Sequence, residues 1–243
     1  MERYSWNWAI LVTEPYVYWI LSGIMWTILV ALAGWVIALA LGSVVGVART
    51  LRQPVVRAIV GAYVEIFRNV PLLVQIFLWY FVLPELLPAA AGQWLKRDLP
   101  HAEFWTAVVS LGTYTACRIG EQVRAGIEAI AKGQTNAGLA TGLTLPQVYR
   151  YILVPVGFRM TVPALTSEFI NIFKNSALAL TIGVLELTSR TRQVAEYTYQ
   201  AIELFTAATV VYALITLIVT FAMRVVERRA RLPGTIQSGR TGS

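Results

Sequence analysis

Six charged side chains stand in apolar stretches of this 243-residue sequence, where little water is expected: Glu65, Arg68, Arg118, Glu121, Glu168 and Lys174. A charge at mid-bilayer costs about 2.5 to 3.5 kcal/mol on insertion scales, so one that persists there faces protein or water and has a partner. Glu65 and Arg68 are three residues apart, which places them on one helix face as an internal ion pair. Pro71 follows, where the helix should kink or restart, and a broken helix exposes backbone groups that can ligate a polar solute. Arg118 and Glu121 repeat the spacing, and Glu121, Arg124 and Glu128 extend the stripe. Glu168, Asn171 and Asn175 lie three and four apart, a polar face on an otherwise apolar helix, with Lys174 and Ser176 adjoining. A carboxylate and an ammonium beside amide donors complement the two charged ends of a zwitterionic amino acid. A second carboxylate on the ligand would place its demand for a cation on Arg118, Arg68 or Lys174. Each group also has a purely structural reading: an ion pair locking helices, a stripe holding a loop, or a polar face packed on an equivalent helix.

Other chemistries lack their residues. One Cys, Cys117, allows no intrachain disulfide, and one His, His101, argues against a His-based metal site. Cys117 reads as a small buried residue and His101 as a solvated one. There is no G-x-x-x-x-G-K-[ST] phosphate loop, so this chain does not hydrolyse ATP by that route. No Ser with His pairing and no H-E-x-x-H supports an intramembrane enzyme.

The elements that hold these residues must be membrane helices. Hydrophobic residues make up 57% of the chain and charged ones 14%, and the mean hydropathy of +0.61 is outside the ordinary soluble range. No charge occurs from Pro15 to Ala48, a run of 34 residues, or from Leu204 to Met223, a run of 20, and either is long enough to cross a bilayer. The first run is too long for a signal peptide's apolar segment and is expected to remain as structure. The pattern predicts an all-α integral membrane protein with five spans, near residues 18–47, 58–83, 104–127, 160–185 and 205–226. Polar loops fall at 84–103 and 186–203, and a disordered tail at 231–243.

Basic residues orient the spans. Twelve of the 20 Lys and Arg fall on the side that carries residues 133–155 and the C terminus, five on the other, and Arg68, Arg118 and Lys174 within the spans. The positive-inside rule puts the larger group in the cytoplasm and the N terminus outside. It also absorbs the net charge of +7 without nucleic acid.

Residues 133–155, GQTNAGLATGLTLPQVYRYILVP, are too polar to span and too apolar for a linker. Small residues from Asn136 to Leu143 predict one short helix closing near Gly142. Thr144 with Gln147 reads as a capping box opening a second, which should end before Pro155. Leu139, Leu143, Leu145, Val148 and Ile152 give this elbow an apolar side, while Gln134, Asn136, Gln147 and Arg150 stay wet. Such an elbow is shaped to dock into another protein.

At this stretch the chain resembles the permease subunits of bacterial ATP-binding-cassette importers, whose cytoplasmic loop carries E-A-A, three residues, G, nine residues and I-x-L-P. Asn136-Ala137-Gly138, Gly142, Ile152 and Val154-Pro155 match those spacings, with Asn for Glu, Gly for the second Ala and Val for Leu. YVEIFRNVPLLVQ at Tyr63 to Gln75 and NIFKNSALALTIG at Asn171 to Gly183 are similar to the polar-amino-acid branch. WNWAI, FVLPELLP and PALTSE add a similarity to glutamate/aspartate permeases. The resemblance implies a type I importer transmembrane domain over about residues 20–227, in the bacterial cytoplasmic membrane. It implies Gln134, Asn136, Ala137, Gly138, Gly142, Leu145, Gln147, Arg150 and Pro155 as the ATPase-coupling loop. It further implies two ATPase subunits that bind the ATP, a second homologous permease, an extracytoplasmic amino-acid-binding protein, and no cofactor in this chain. A self-sufficient secondary transporter or channel is the competing class; it accounts for buried carboxylates and leaves the loop motif unexplained.

Overall fold

The computed structural model describes residues 5–130 and 132–230, and among these the regular structure is all helical. The tail expected at 231–243, with Arg231 and Arg240, lies outside the described residues, as does Arg3. The principal helices are α1 (Tyr16–Thr50), α2 (Pro54–Asn69), α3 (Leu72–Leu86), α4 (Ala102–Glu128), α5 (Lys132–Ala140), α6 (Leu145–Ile182), α7 (Leu187–Thr198) and α8 (Ala201–Ala230).

The chain makes five passes along the bundle. α1 and α4 run parallel, with Trp26 beside Phe104 near one end and Gly46 beside Val123 near the other. Small residues on both helices allow the close approach: a Cβ on Gly42 would stand 2.7 Å from Ile119 Cβ. α2 and α3 lead back from the end of α1 to the start of α4, with α2 packed against both. α6 runs antiparallel to α4, from Gly157 against Ile127 to Arg118 against Glu168. α8 then descends from Glu203, which accepts the Asn7 amide at 2.8 Å, to Glu227, which accepts the Thr166 hydroxyl at 2.6 Å. The two ends of the described chain therefore lie at opposite ends of the bundle.

Among the described residues, α1 and α8 are each long and apolar enough to cross a membrane. The bent pairs α2 with α3 and α6 with α7 meet that test when each is taken as one span. α4 is the exception because it is central: Val108, Leu111, Ala116, Ile119 and Val123 are buried against neighbours, and its charges form one stripe.

The break at Pro71 is sharper than a kink, with α3 leaving α2 at 107°. Proline has no N–H for the Phe67 carbonyl four residues back. The Gln75 side chain replaces it, donating to the carbonyls of Phe67 and Val70 at 2.8 Å each. The second span expected at 58–83 is thus two helices in an angle.

Three other expectations need correction. The loop expected at 84–103 contains short helices at Ala89–Gln93 and Trp94–Asp98. The loop expected at 186–203 contains α7: Leu187, Thr191, Val194 and Ala195 are buried at helical spacing, while Arg192 and Glu196 pair across its exposed face at 2.8 Å. Glu186 caps it, accepting from the Thr188 and Ser189 amides at 2.9 and 2.7 Å. Finally, the helix opened by Thr144 does not end before Pro155. It widens to a π-turn over Tyr149–Leu153, with the Val154 amide bonded to the Tyr149 carbonyl, and runs on into the long pass of α6. The wider register absorbs the hydrogen bond that Pro155 does not make.

Candidate functional site

Two sites are built on this frame, a polar cavity within the bundle and the elbow at the end shared by Thr50, Glu128 and Tyr149.

The cavity is open to one side, has a volume of about 630 Å³ and is lined by Arg68 of α2, Tyr114, Arg118, Glu121, Gln122, Arg124 and Ala125 of α4, and Glu168 of α6. The α4 residues recur at three- and four-residue intervals, so one face of a single helix supplies most of the wall. Glu168 is 4% exposed. Its two oxygens are held separately, one by Arg118 Nε at 2.9 Å and the other by Gln122 Nε2 at 3.0 Å. The Arg118 side chain remains 43% exposed, so part of the guanidinium is open to the cavity. Gln122 Oε1 and Arg124 Nε are buried and without a hydrogen-bond partner among the described residues. An acceptor and a cationic donor therefore stand unsatisfied in the wall, a state that buried polar groups rarely hold without a ligand or water.

Toward the elbow the stripe becomes a network. Glu121 contacts Arg49 of α1 and Arg124, the latter at 3.1 Å, and Arg124 also bonds Glu128 at 2.7 Å. Arg118 and Glu121, three apart in sequence, thus turn to different partners.

The remaining charges expected in a pathway disperse. Glu65 is exposed and takes the Asn69 amide at 3.3 Å; it forms no pair with Arg68, which faces the cavity. Lys174 is exposed and lines a separate cleft of about 600 Å³ with Tyr212, Thr216 and Leu217. Asn171 and Asn175 are half-buried outside the cavity wall. Tyr114 and Gln122 were not anticipated as cavity residues, nor Arg49 as a partner for Glu121. The four-residue spacing Tyr114, Arg118, Gln122 was the signal for the first two, while Arg49 depends on a helix pairing no local pattern encodes.

The elbow forms as α5, a turn and the start of α6. Gly142 takes φ +89°, a conformation natural to glycine. The capping box closes, with Gln147 Oε1 accepting the Thr144 amide at 2.8 Å. Gly138 is buried, and a Cβ there would lie 2.8 Å from Ile152 Cδ1, so α5 packs hard against α6. Gln134, Asn136, Ala137, Gly142, Leu145, Gln147, Arg150 and Pro155 are exposed. Apolar Leu139, Leu145 and Tyr151 are exposed among them. The Tyr149 hydroxyl donates to the Thr50 carbonyl at 3.0 Å, tying the elbow to the end of α1.

Comparisons with known proteins point the same way. The chain is 44% identical over 240 residues to the glutamate/aspartate import permease protein GltJ of Escherichia coli K12, covering 96% of this chain and 98% of that protein. It is 32% identical to the arginine transport system permease protein ArtQ of Bacillus subtilis 168, covering 90% and 95%. Its backbone matches the crystal structure of an amino acid ABC transporter with histidines at a TM-score of 0.77 and 25% identity, over 93% of this chain and 100% of that one. An inward-facing MetNI methionine ABC transporter shares the fold at a TM-score of 0.73 and 22% identity, over 90% and 100%. Residues 38–232 match the family model for the inner membrane component of binding-protein-dependent transport systems. An all-helical bundle with a polar cavity and an exposed elbow agrees with that match, and the chain belongs to that family.

Proposed function

We propose that this chain is a permease subunit of an ATP-driven importer that carries glutamate and aspartate across the bacterial inner membrane. The observation that carries the substrate reading is the 44% identity, over nearly the whole length of both chains, to a glutamate/aspartate import permease. As a family member the chain is a non-catalytic inner-membrane subunit with no cofactor of its own, and ATP is used by partner ATPase subunits. The finer assembly we propose has two ATPase subunits, a second homologous permease and an extracytoplasmic binding protein. The five passes then cross the membrane with the N terminus outside and the elbow and C terminus in the cytoplasm. The exposed residues from Gln134 to Arg150 seat in the ATPase. Closure of the ATPase pair pulls on α5, through the continuous α6 on the Glu168 wall of the cavity, and through the Tyr149 to Thr50 bond on the end of α1.

The cavity's chemistry supports an acidic amino acid. Three arginines against two glutamates leave one cationic charge in excess in its lining. An acidic amino acid carries two carboxylates and one ammonium, so its net charge is complementary. Arg68 and the open part of Arg118 would meet the carboxylates, and Gln122 Oε1 the ammonium. Pulling the tagged chain from its native membrane, identifying the co-purifying subunits and titrating the associated binding protein with amino acids tests this. Glutamate and aspartate binding tightest is expected; a binding protein selective for another class would overturn the substrate reading.

A further inference from the structure

Beside the elbow lies a crevice of about 510 Å³, separate from the cavity, whose α6 wall shares Leu145 and Arg150 with the docking face. It is lined by Val47 and Leu51 of the α1 end, Arg52 and Gln53 of the following turn, and Leu145, Pro146, Tyr149, Arg150 and Val154 of α6. Its wall is mostly apolar, yet it holds two arginines and no carboxylate. Neither arginine has a carboxylate partner among the described residues, whereas nearby Arg49 and Arg124 are both paired with Glu121. Among the described residues Arg150 stacks near the Tyr151 ring, 5.8 Å from its Cζ. Flanking α1 and α2 present apolar side chains outward: Val44 is 66% exposed, Val55 68% and Ile59 67%. An apolar slot flanked by outward-facing apolar side chains and holding two cations without a carboxylate partner among the described residues fits a molecule with hydrocarbon at one end and negative charge at the other.

We propose that this crevice binds an anionic phospholipid of the inner leaflet, its headgroup phosphate between Arg52 and Arg150 and an acyl chain along Val47, Leu51 and Val154. The proposal rests on the cytoplasmic placement of the elbow, because basic pockets between helices on that side recognise acidic headgroups. A bound lipid would bridge the α1 end and the elbow at the place where the Tyr149 hydroxyl already meets the Thr50 carbonyl. Leu145 and Arg150 belong to both the crevice and the exposed docking set, so lipid occupancy would bear directly on coupling.

The test is lipid binding by the purified permease complex, read by native mass spectrometry with phosphatidylglycerol and phosphatidylcholine as probes. The wild-type complex should prefer phosphatidylglycerol. Each arginine near a charged headgroup contributes about fivefold, so the Arg52→Gln/Arg150→Gln variant should lose that preference by about twenty-five-fold. An Arg52→Lys/Arg150→Lys variant, which keeps the charges, should retain most of it. Equal binding of the two lipids by the wild type would overturn the proposal, as would an unchanged preference in the glutamine variant or an equal loss in the lysine variant. Displacement of the lipid when ATPase subunits bind would assign the crevice to a protein contact and also overturn it. None of these readouts depends on which amino acid is carried, so the substrate reading can fail separately.

Discussion

Arg118 and Glu168, fifty residues apart in the chain, meet at 2.9 Å across α4 and α6, and both line the cavity. The pair is asymmetric: the carboxylate is buried and the guanidinium partly open. Removing Arg118 therefore strands a buried charge, whereas removing both charges does not. Arg118→Ala should destabilise the detergent-solubilised complex by about 2–3 kcal/mol, less than a fully buried pair because water reaches the arginine side. Arg118→Gln with Glu168→Gln should recover most of that stability and still leave uptake lost. Recovery of uptake along with stability would make the pair a helix lock rather than part of the pathway.

The elbow's exposed face predicts a separable defect. Deleting Ala137 to Leu145 should abolish co-purification of the ATPase subunits while the permease stays in the membrane. Retained ATPase at wild-type yield would remove the coupling role from this segment.

Helix proximity gives a contrast between two glycines. At Gly42 an added Cβ meets Ile119 at 2.7 Å, while at Gly61 nothing lies within 4 Å. Gly42→Leu should cost about 1–3 kcal/mol or more through overpacking of α1 on α4. Gly61→Ala should gain about 0.5–1 kcal/mol through reduced backbone entropy in the unfolded chain. Thermal denaturation of the purified complex reads both, with opposite signs expected.

Gln75 offers a test of the break at Pro71. Its amide satisfies two carbonyls in a setting that has little water to replace it. Gln75→Leu should destabilise by about 1–3 kcal/mol, the cost of leaving such groups unpaired, and Gln75→Glu should restore only part of it, because an ionised carboxylate offers no donor and a protonated one offers a single O–H for two carbonyls. Hydrogen exchange of the α2 and α3 amides would localise the loss.

Much of this architecture is legible in the sequence, for reasons that differ between elements. α1 and α8 declare themselves through long charge-free runs, and Pro71 and the Thr144 capping box mark local boundaries that need no tertiary information. α7 was obscured because its buried face is short and its other face is charged, so composition read as loop. The π-turn before Pro155 was hidden because a proline signals a stop unless the register widens to accommodate it. The partners of Arg49, Glu121 and Gln122 depend on α1 and α6 flanking α4, a packing fact that spacing within one helix does not contain. The glutamates in apolar stretches were recognisable as special; which of them would share a cavity was not.

The central claim is that this chain moves its solute only when a separate ATPase works on it through the elbow. Reconstitution into proteoliposomes with radiolabelled glutamate outside, with and without the co-purifying subunits and ATP inside, tests it most directly. Uptake that requires the ATPase subunits, ATP and the binding protein together is the predicted result. Robust gradient-driven uptake by the permease alone would contradict the account.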